Sequence, residues 1–150
     1  MKLKNSKKII KILISIVFVC YIALVIISSV MLSQITQITY RASAFGTVIR
    51  EDIIDFKENA AWRNYYDFNK TPVQQKENKI DAEKASEIKF ICAVSLFPLW
   101  RESYHNPSIL DGDQYVIIRT YDNEESATYG SNAYPLTYAF VLSAINSVFE

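Results

Sequence analysis

From Ile12 to Tyr40 the chain carries no charged side chain, and the first two-thirds of that stretch is nearly continuous hydrocarbon. The run from Ile12 to Leu32 is Ile-Leu-Ile-Ser-Ile-Val-Phe-Val-Cys-Tyr-Ile-Ala-Leu-Val-Ile-Ile-Ser-Ser-Val-Met-Leu. A bilayer core about 30 Å thick is crossed by roughly 20 apolar residues rising ~1.5 Å each. The segment therefore predicts one membrane-spanning helix, with the lipid bilayer as its partner through Ile12–Leu32. The expected organisation is a basic tip over residues 1–11, a span over 12–32, and one domain over 33–150.

Charge orients the span. Lys2, Lys4, Lys7, Lys8 and Lys11 precede it with no acid among them. Lysine excess marks the cytoplasmic flank, so the N-terminus should stay inside and the domain should be extracytoplasmic. A cleaved signal peptide is the competing reading. Its apolar core normally covers only ~7–15 residues and ends at a small-x-small site. This core is longer, and Ser28, Ser29 and Ser33 make poor cleavage sites. A lipid-bearing Cys20 is disfavoured too, because Val17-Phe18-Val19 ahead of it lacks the small residue such a site uses. A retained signal anchor in the cell membrane is the expectation.

The chain's formal charge of zero hides an asymmetry. With five of its sixteen basic residues in the tip, the domain keeps eleven against sixteen acids. An acidic domain repels phosphate backbones, which argues against nucleic acid as a partner. Cys92 is the one cysteine of the domain, so it has no internal disulfide partner. Its apolar setting, Phe90 to Leu96, suggests a buried thiol.

Periodicity in residues 33–150 predicts an α+β domain in the order β-β-β-α-β-β-α, an antiparallel sheet with helices on one face. Ser33–Ser43 alternates as a first strand, unless the anchor helix runs on a turn or two; Thr47–Lys57 reads as a second, with helix as the alternative; and Trp62, Tyr65, Tyr66 and Phe68 mark a third after a turn at Glu58–Ala61. Polar Lys70–Lys79 is expected to be a loop. Asp81 is a good N-cap for a helix whose stripe is Ile88, Ile91, Cys92, Ser95, Leu96 and Leu99. Phe90, Ala93, Val94 and Phe97 make its second half apolar on most sides, as in a core helix, and Pro98 ends or kinks it. Tyr104–Asp113 is expected to be a loop. Tyr115, Ile117 and Arg119 share one face of the next strand, and Ser126–Tyr129 returns beside it. Gly130–Asn132 is then a turn, with Gly130 at positive φ, and Pro135 opens a final amphipathic helix through Tyr138, Val141, Leu142 and Ile145.

Trp100, Tyr104, Asn106-Pro107, Leu110-Asp111-Gly112, Gln114-Tyr115, Tyr121 and Tyr129-Gly130-Ser131-Asn132-Ala133-Tyr134-Pro135 form a pattern over the last third. It resembles the C-terminal half of a family of small Gram-positive bacterial proteins, often lipoproteins or single-span membrane proteins, which has no established activity. Tyr115 departs from it, since the family carries tryptophan there. The resemblance implies an envelope location and adds no mechanism.

Chemistry-bearing residues are sparse. His105 is the one histidine. With Asp111 or Asp113 it could serve an enzyme of unrecognised type, but the set forms neither a zinc nor a calcium site. No nucleophile-elbow motif is present, and three glycines make no phosphate-cradling loop. Asp52/Asp55 and Glu83/Glu87 fit solvated faces. No catalytic residue, metal or cofactor is expected. Tyrosines crowd the last third, as half-buried sheet residues or as a binding surface. The expected function is a non-enzymatic interaction module for an envelope protein or wall component, using Trp100, Tyr104, Asp111, Asn132 and Tyr134. A membrane-bound immunity or accessory component acting through its span is the alternative.

Overall fold

The computed structural model describes residues 2–109, 112–122 and 124–150. One helix, α1 (Lys2–Ser33), leads into a mixed α+β fold. The strands are β1 (Gln37–Ala44), β2 (Thr47–Asp55), β3 (Ala60–Tyr66), β4 (Pro72–Lys79), β5 (Ser103–His105), β6 (Gln114–Thr120) and β7 (Glu125–Ser131). Helix α2 (Ala82–Val94) follows β4, and α3 (Tyr138–Asn146) follows β7. The seven strands form one sheet in the order β4-β3-β2-β1-β6-β7-β5.

Two strands lie where loops were expected. β4 is exposed almost throughout and shows no apolar alternation. It is an edge strand, where Pro72, lysines and glutamines are at home because only one side of the ladder is paired. Short β5 runs parallel to β7, so the sheet is not wholly antiparallel. The observed order after α1 is β-β-β-β-α-β-β-β-α. Other boundaries shift as well. The second turn covers residues 56–59, so Ala60 already belongs to β3 and Phe68 falls in the next turn. β7 continues through Ser131, and α3 begins at Tyr138 behind Thr137, three residues after Pro135.

Helix α2 starts as its sequence predicts. The Lys84 amide donates to the Asp81 carboxylate at 2.7 Å, and Glu83 sits in the first turn. Ile88, Cys92 and Ala93 are buried, but Phe90 is exposed, so the second half is not apolar-covered all round. Leu96 takes a left-handed conformation, and Phe97–Leu99 forms one 3-10 turn around Pro98. Burial pushes the Cys92 thiol up to about 12, so it stays protonated and inert.

The core joins Ile38 and Tyr40 of β1, Ile54 of β2, Ile117 of β6, Ile88 and Cys92 of α2, Phe97, and Val141 and Ile145 of α3. Leu32 and Ile35 belong to it as well. The end of α1 is therefore part of the domain's interior. Tyr21 donates its hydroxyl to the Val94 carbonyl at 2.8 Å, and Ser28 is fully buried. Along the helix, half-buried Val25 and buried Ser28 and Leu32 form the covered stripe, and Tyr21 at its head stays exposed apart from its hydroxyl bond.

Asp52 overturns the solvated-face expectation. It is 0% exposed, accepts from Arg63 at 2.7 and 2.9 Å and forms an ion pair with Arg50 at 2.8 Å. Asn146 of α3 accepts from both arginines, at 2.9 and 2.7 Å, and Arg63 lies over the Phe149 ring. This network fastens the C-terminal helix to the sheet.

The β1–β2 hairpin turns on Phe45 (φ 50) and Gly46 (φ 76), the pair of positive φ values of a type I′ turn. Phenylalanine is strained there, and its ring is 81% exposed. Phe45→Asn should stabilise the protein by about 1 kcal/mol, visible as a higher urea midpoint at unchanged slope. A lower midpoint would assign the ring a packing role.

Candidate functional site

The expected aromatic surface is built where β5, β7 and β6 run side by side. Tyr104 pairs with Gly130, and Gly130 pairs with Tyr115. Side chains at paired positions share a face of the sheet. Gly130 leaves a gap that the Tyr115 ring fills: a Cβ on it would lie 1.8 Å from the Tyr115 ring. The glycine serves close approach. The positive φ expected of it belongs instead to Asn132 (φ 53), a residue that tolerates that conformation.

Tyr115 is nearly fully buried. Tyr134 stacks on it with centroids 5.4 Å apart, and Tyr138 leans against it at 4.6 Å. Its hydroxyl donates to the Ala133 carbonyl at 3.3 Å. The Tyr138 hydroxyl meets that of Tyr40 at 3.1 Å. Burial raises the pKa of both Tyr115 and Tyr138, so both hydroxyls stay neutral. Trp100 packs edge-on against Phe97, and its indole N–H donates to the Ser95 carbonyl and Thr137 hydroxyl, each at 3.3 Å.

The expected binding residues thus divide. Trp100 is half-buried and committed to holding the α2–α3 corner. The Tyr104 hydroxyl accepts from the Arg101 amide at 3.3 Å. The Asn132 side chain lies against Gly112, and the Asn132 backbone N–H donates to the Asp113 carbonyl at 3.0 Å. Tyr134 keeps 44% of its surface free, and burial and then Asp113 raise its pKa. Asp111 lies outside the described residues. His105 pairs with Ser131, one residue beyond Tyr104, so strand alternation turns it to the opposite face from the tyrosines. No cluster of three metal-ligating groups exists among the described residues.

No protein-family model matches the chain, and no curated protein does.

A second feature lies at the other end of the β6–β7 pair. A groove of about 1110 Å³ runs between the end of α1, the 3-10 turn and the β6–β7 pair. Met31, Pro98, Trp100, Arg119, Glu102 and Glu124 are among its walls. Arg119 is the residue that sequence reading passed over. It alternates in phase with Tyr115 and Ile117, so a charge was already placed on the buried face of a core strand, and that was the available signal.

Proposed function

We propose that this chain is a non-enzymatic, single-pass membrane protein whose small domain faces outward from a Gram-positive-type envelope and binds a protein or wall component. The observation that carries the reading is the joint between helix and domain. Lys8–Ser33 is long and apolar enough to cross a membrane, and one stripe of its last turns packs on the domain through Ser28 and Leu32. Helix and domain then move as one body, with no flexible tether between them.

The joint also sets the depth. Lys8–Cys20 stand clear of the domain, which is about 20 Å of helix, short of a ~30 Å hydrocarbon core. The remaining ~10 Å must come from the part of α1 that packs on the domain, which brings the α2–α3 corner beside Tyr21 into the bilayer. That corner presents exposed apolar side chains at Phe90, Leu136 and Phe140, with Leu136 fully exposed. Tyr134 continues the patch towards the aromatic cluster.

The test is brief cross-linking in the protein's own cells, extraction in mild detergent through a tag after Glu150, and mass identification of what is recovered. One protein in stoichiometric amount, lost on Leu136→Asp, is the expected result. Leu136 touches so little that its replacement leaves the fold intact. Recovery alone or as a self-oligomer would count against a protein partner. Replacing Ile12–Leu32 by an unrelated span, with Tyr21, Val25, Ser28 and Leu32 retained, separates the alternative. Partner capture that disappears with this swap would favour an immunity or accessory component acting through the helix.

A further inference from the structure

Arg119 stands apart from the other arginines in its surroundings. Arg41 pairs with Glu51, and Arg50 and Arg63 pair with Asp52. Arg119 is 3% exposed, more buried than any of them, yet among the described residues no carboxylate lies within ion-pair distance of it. Its Nε donates to the Ser126 hydroxyl at 2.9 Å and its Nη1 to the Phe97 carbonyl at 3.2 Å. The Phe97 ring lies 5.2 Å from its guanidinium carbon. All three partners are neutral. A buried charge held by neutral groups alone is destabilising, and burial lowers its pKa accordingly.

A guanidinium has five N–H donors, and two are engaged. The Arg119 nitrogens are absent from the buried unsatisfied atoms of the described residues, which are Ser28 Oγ, Arg50 Nε and Thr128 Oγ1. Among the described residues Nη2 has no hydrogen-bond partner, which leaves that edge of the guanidinium free, and Arg119 lines the open groove. Such an edge matches the paired oxygens of a carboxylate or phosphate. The groove's rim is acidic. Asp122 is engaged by Lys57, while Glu102, Glu124 and Glu125 have no ion pair among the described residues, Glu125 accepting only from the Thr120 hydroxyl. This rim repels a simple anion and attracts a cationic group beside it.

We propose that the groove binds a small zwitterion, whose carboxylate or phosphate oxygens sit on Arg119 and whose cationic group faces Glu102 and Glu124. The inference rests on the reading of the chain as a binding module, though not on its membrane attachment. The two are tested separately, since titration of purified protein is blind to the partner capture described above.

Purified full-length protein in mild detergent is titrated by calorimetry and followed by thermal melting. The probes are phosphoethanolamine and L-alanine, with inorganic phosphate, acetate and ethanolamine as half-ligands. Either zwitterion should bind saturably at one site, and the half-ligands about tenfold or more weaker. Phosphoethanolamine or alanine as the tighter probe decides between phosphate and carboxylate. Arg119→Met should melt at the same or a higher temperature without ligand, because an apolar chain replaces an unpaired buried charge, and should lose the response. Glu102→Gln, on the exposed rim, should weaken the zwitterion and leave inorganic phosphate as tight as before or tighter. It tests the same site should Arg119→Met fail to fold. No response of the unaltered protein to either zwitterion would overturn the proposal. So would an Arg119→Met response equal to that of the unaltered protein.

Discussion

Replacing Gly130 with alanine is expected to destabilise the domain by about 3 kcal/mol or more, at the upper end of what overpacking a core does. The added methyl would lie 1.8 Å from Cε1 and 2.1 Å from Cζ of Tyr115. The ring has nowhere to go. Tyr134 and Tyr138 close on it at 5.4 and 4.6 Å, and its hydroxyl is tied to Ala133. Gly130 itself sits between β6 and β5, paired on both sides, so the backbone is held as firmly as the ring. Thermal melting of the variant gives the size of the effect, and Tyr115→Val assigns its cause. In that background the same glycine substitution should cost little, because the colliding ring is gone. An unchanged melting temperature for Gly130→Ala alone would show that the tyrosine stack opens freely, and would make it a mobile surface.

Asp52→Ala should have a comparable or larger effect, about 3–5 kcal/mol, because it strands two guanidiniums in a buried setting. Arg50 and Arg63 keep only 22% and 12% of their side-chain surface, and Asp52 is their one carboxylate among the described residues. Asn146 accepts from both, so repulsion between the stranded charges would also loosen α3. Urea unfolding measures the loss. The double variant Asp52→Ala, Arg63→Met should recover part of it, since removing a buried charge with its partner is far milder than removing the partner alone. A loss no greater than the ~1 kcal/mol typical of an exposed pair would mean that water reaches the cluster.

Both positions show where the sequence speaks and where it stops. Strands β1, β2, β3, β6 and β7 and helices α2 and α3 announce themselves because each buries one face, which imposes a period of about 2 or 3.6 on apolar residues. Strand β4 buries nothing and has no such period. It pairs through its backbone, and Lys76 and Asn78 reach the carbonyls of Phe149 and Val148 at the chain's far end. β5 is three residues long, and its place beside β7 is set by that neighbour. The aromatic cluster was legible as a list of residues. Its division into the buried Tyr115, the half-exposed Tyr134 and the structural Trp100 was not, because burial depends on which segments cross above each ring.

The sequence by itself determined that residues 12–32 make an uncharged, apolar helix behind a lysine-rich tip, and that an α+β domain follows. Those properties are local, fixed by side-chain hydrophobicity and spacing. Only the tertiary structure decided that Asp52 is buried between two arginines, that Gly130 makes room for a tyrosine, and that Arg119 keeps a free edge beside a groove. Each depends on partners far away in the chain, from Phe97 and Ser126 around Arg119 to Asn146 beside Asp52. No single stretch of sequence records which charges will meet and which will be left unmatched, because that is settled when the helices close over the sheet.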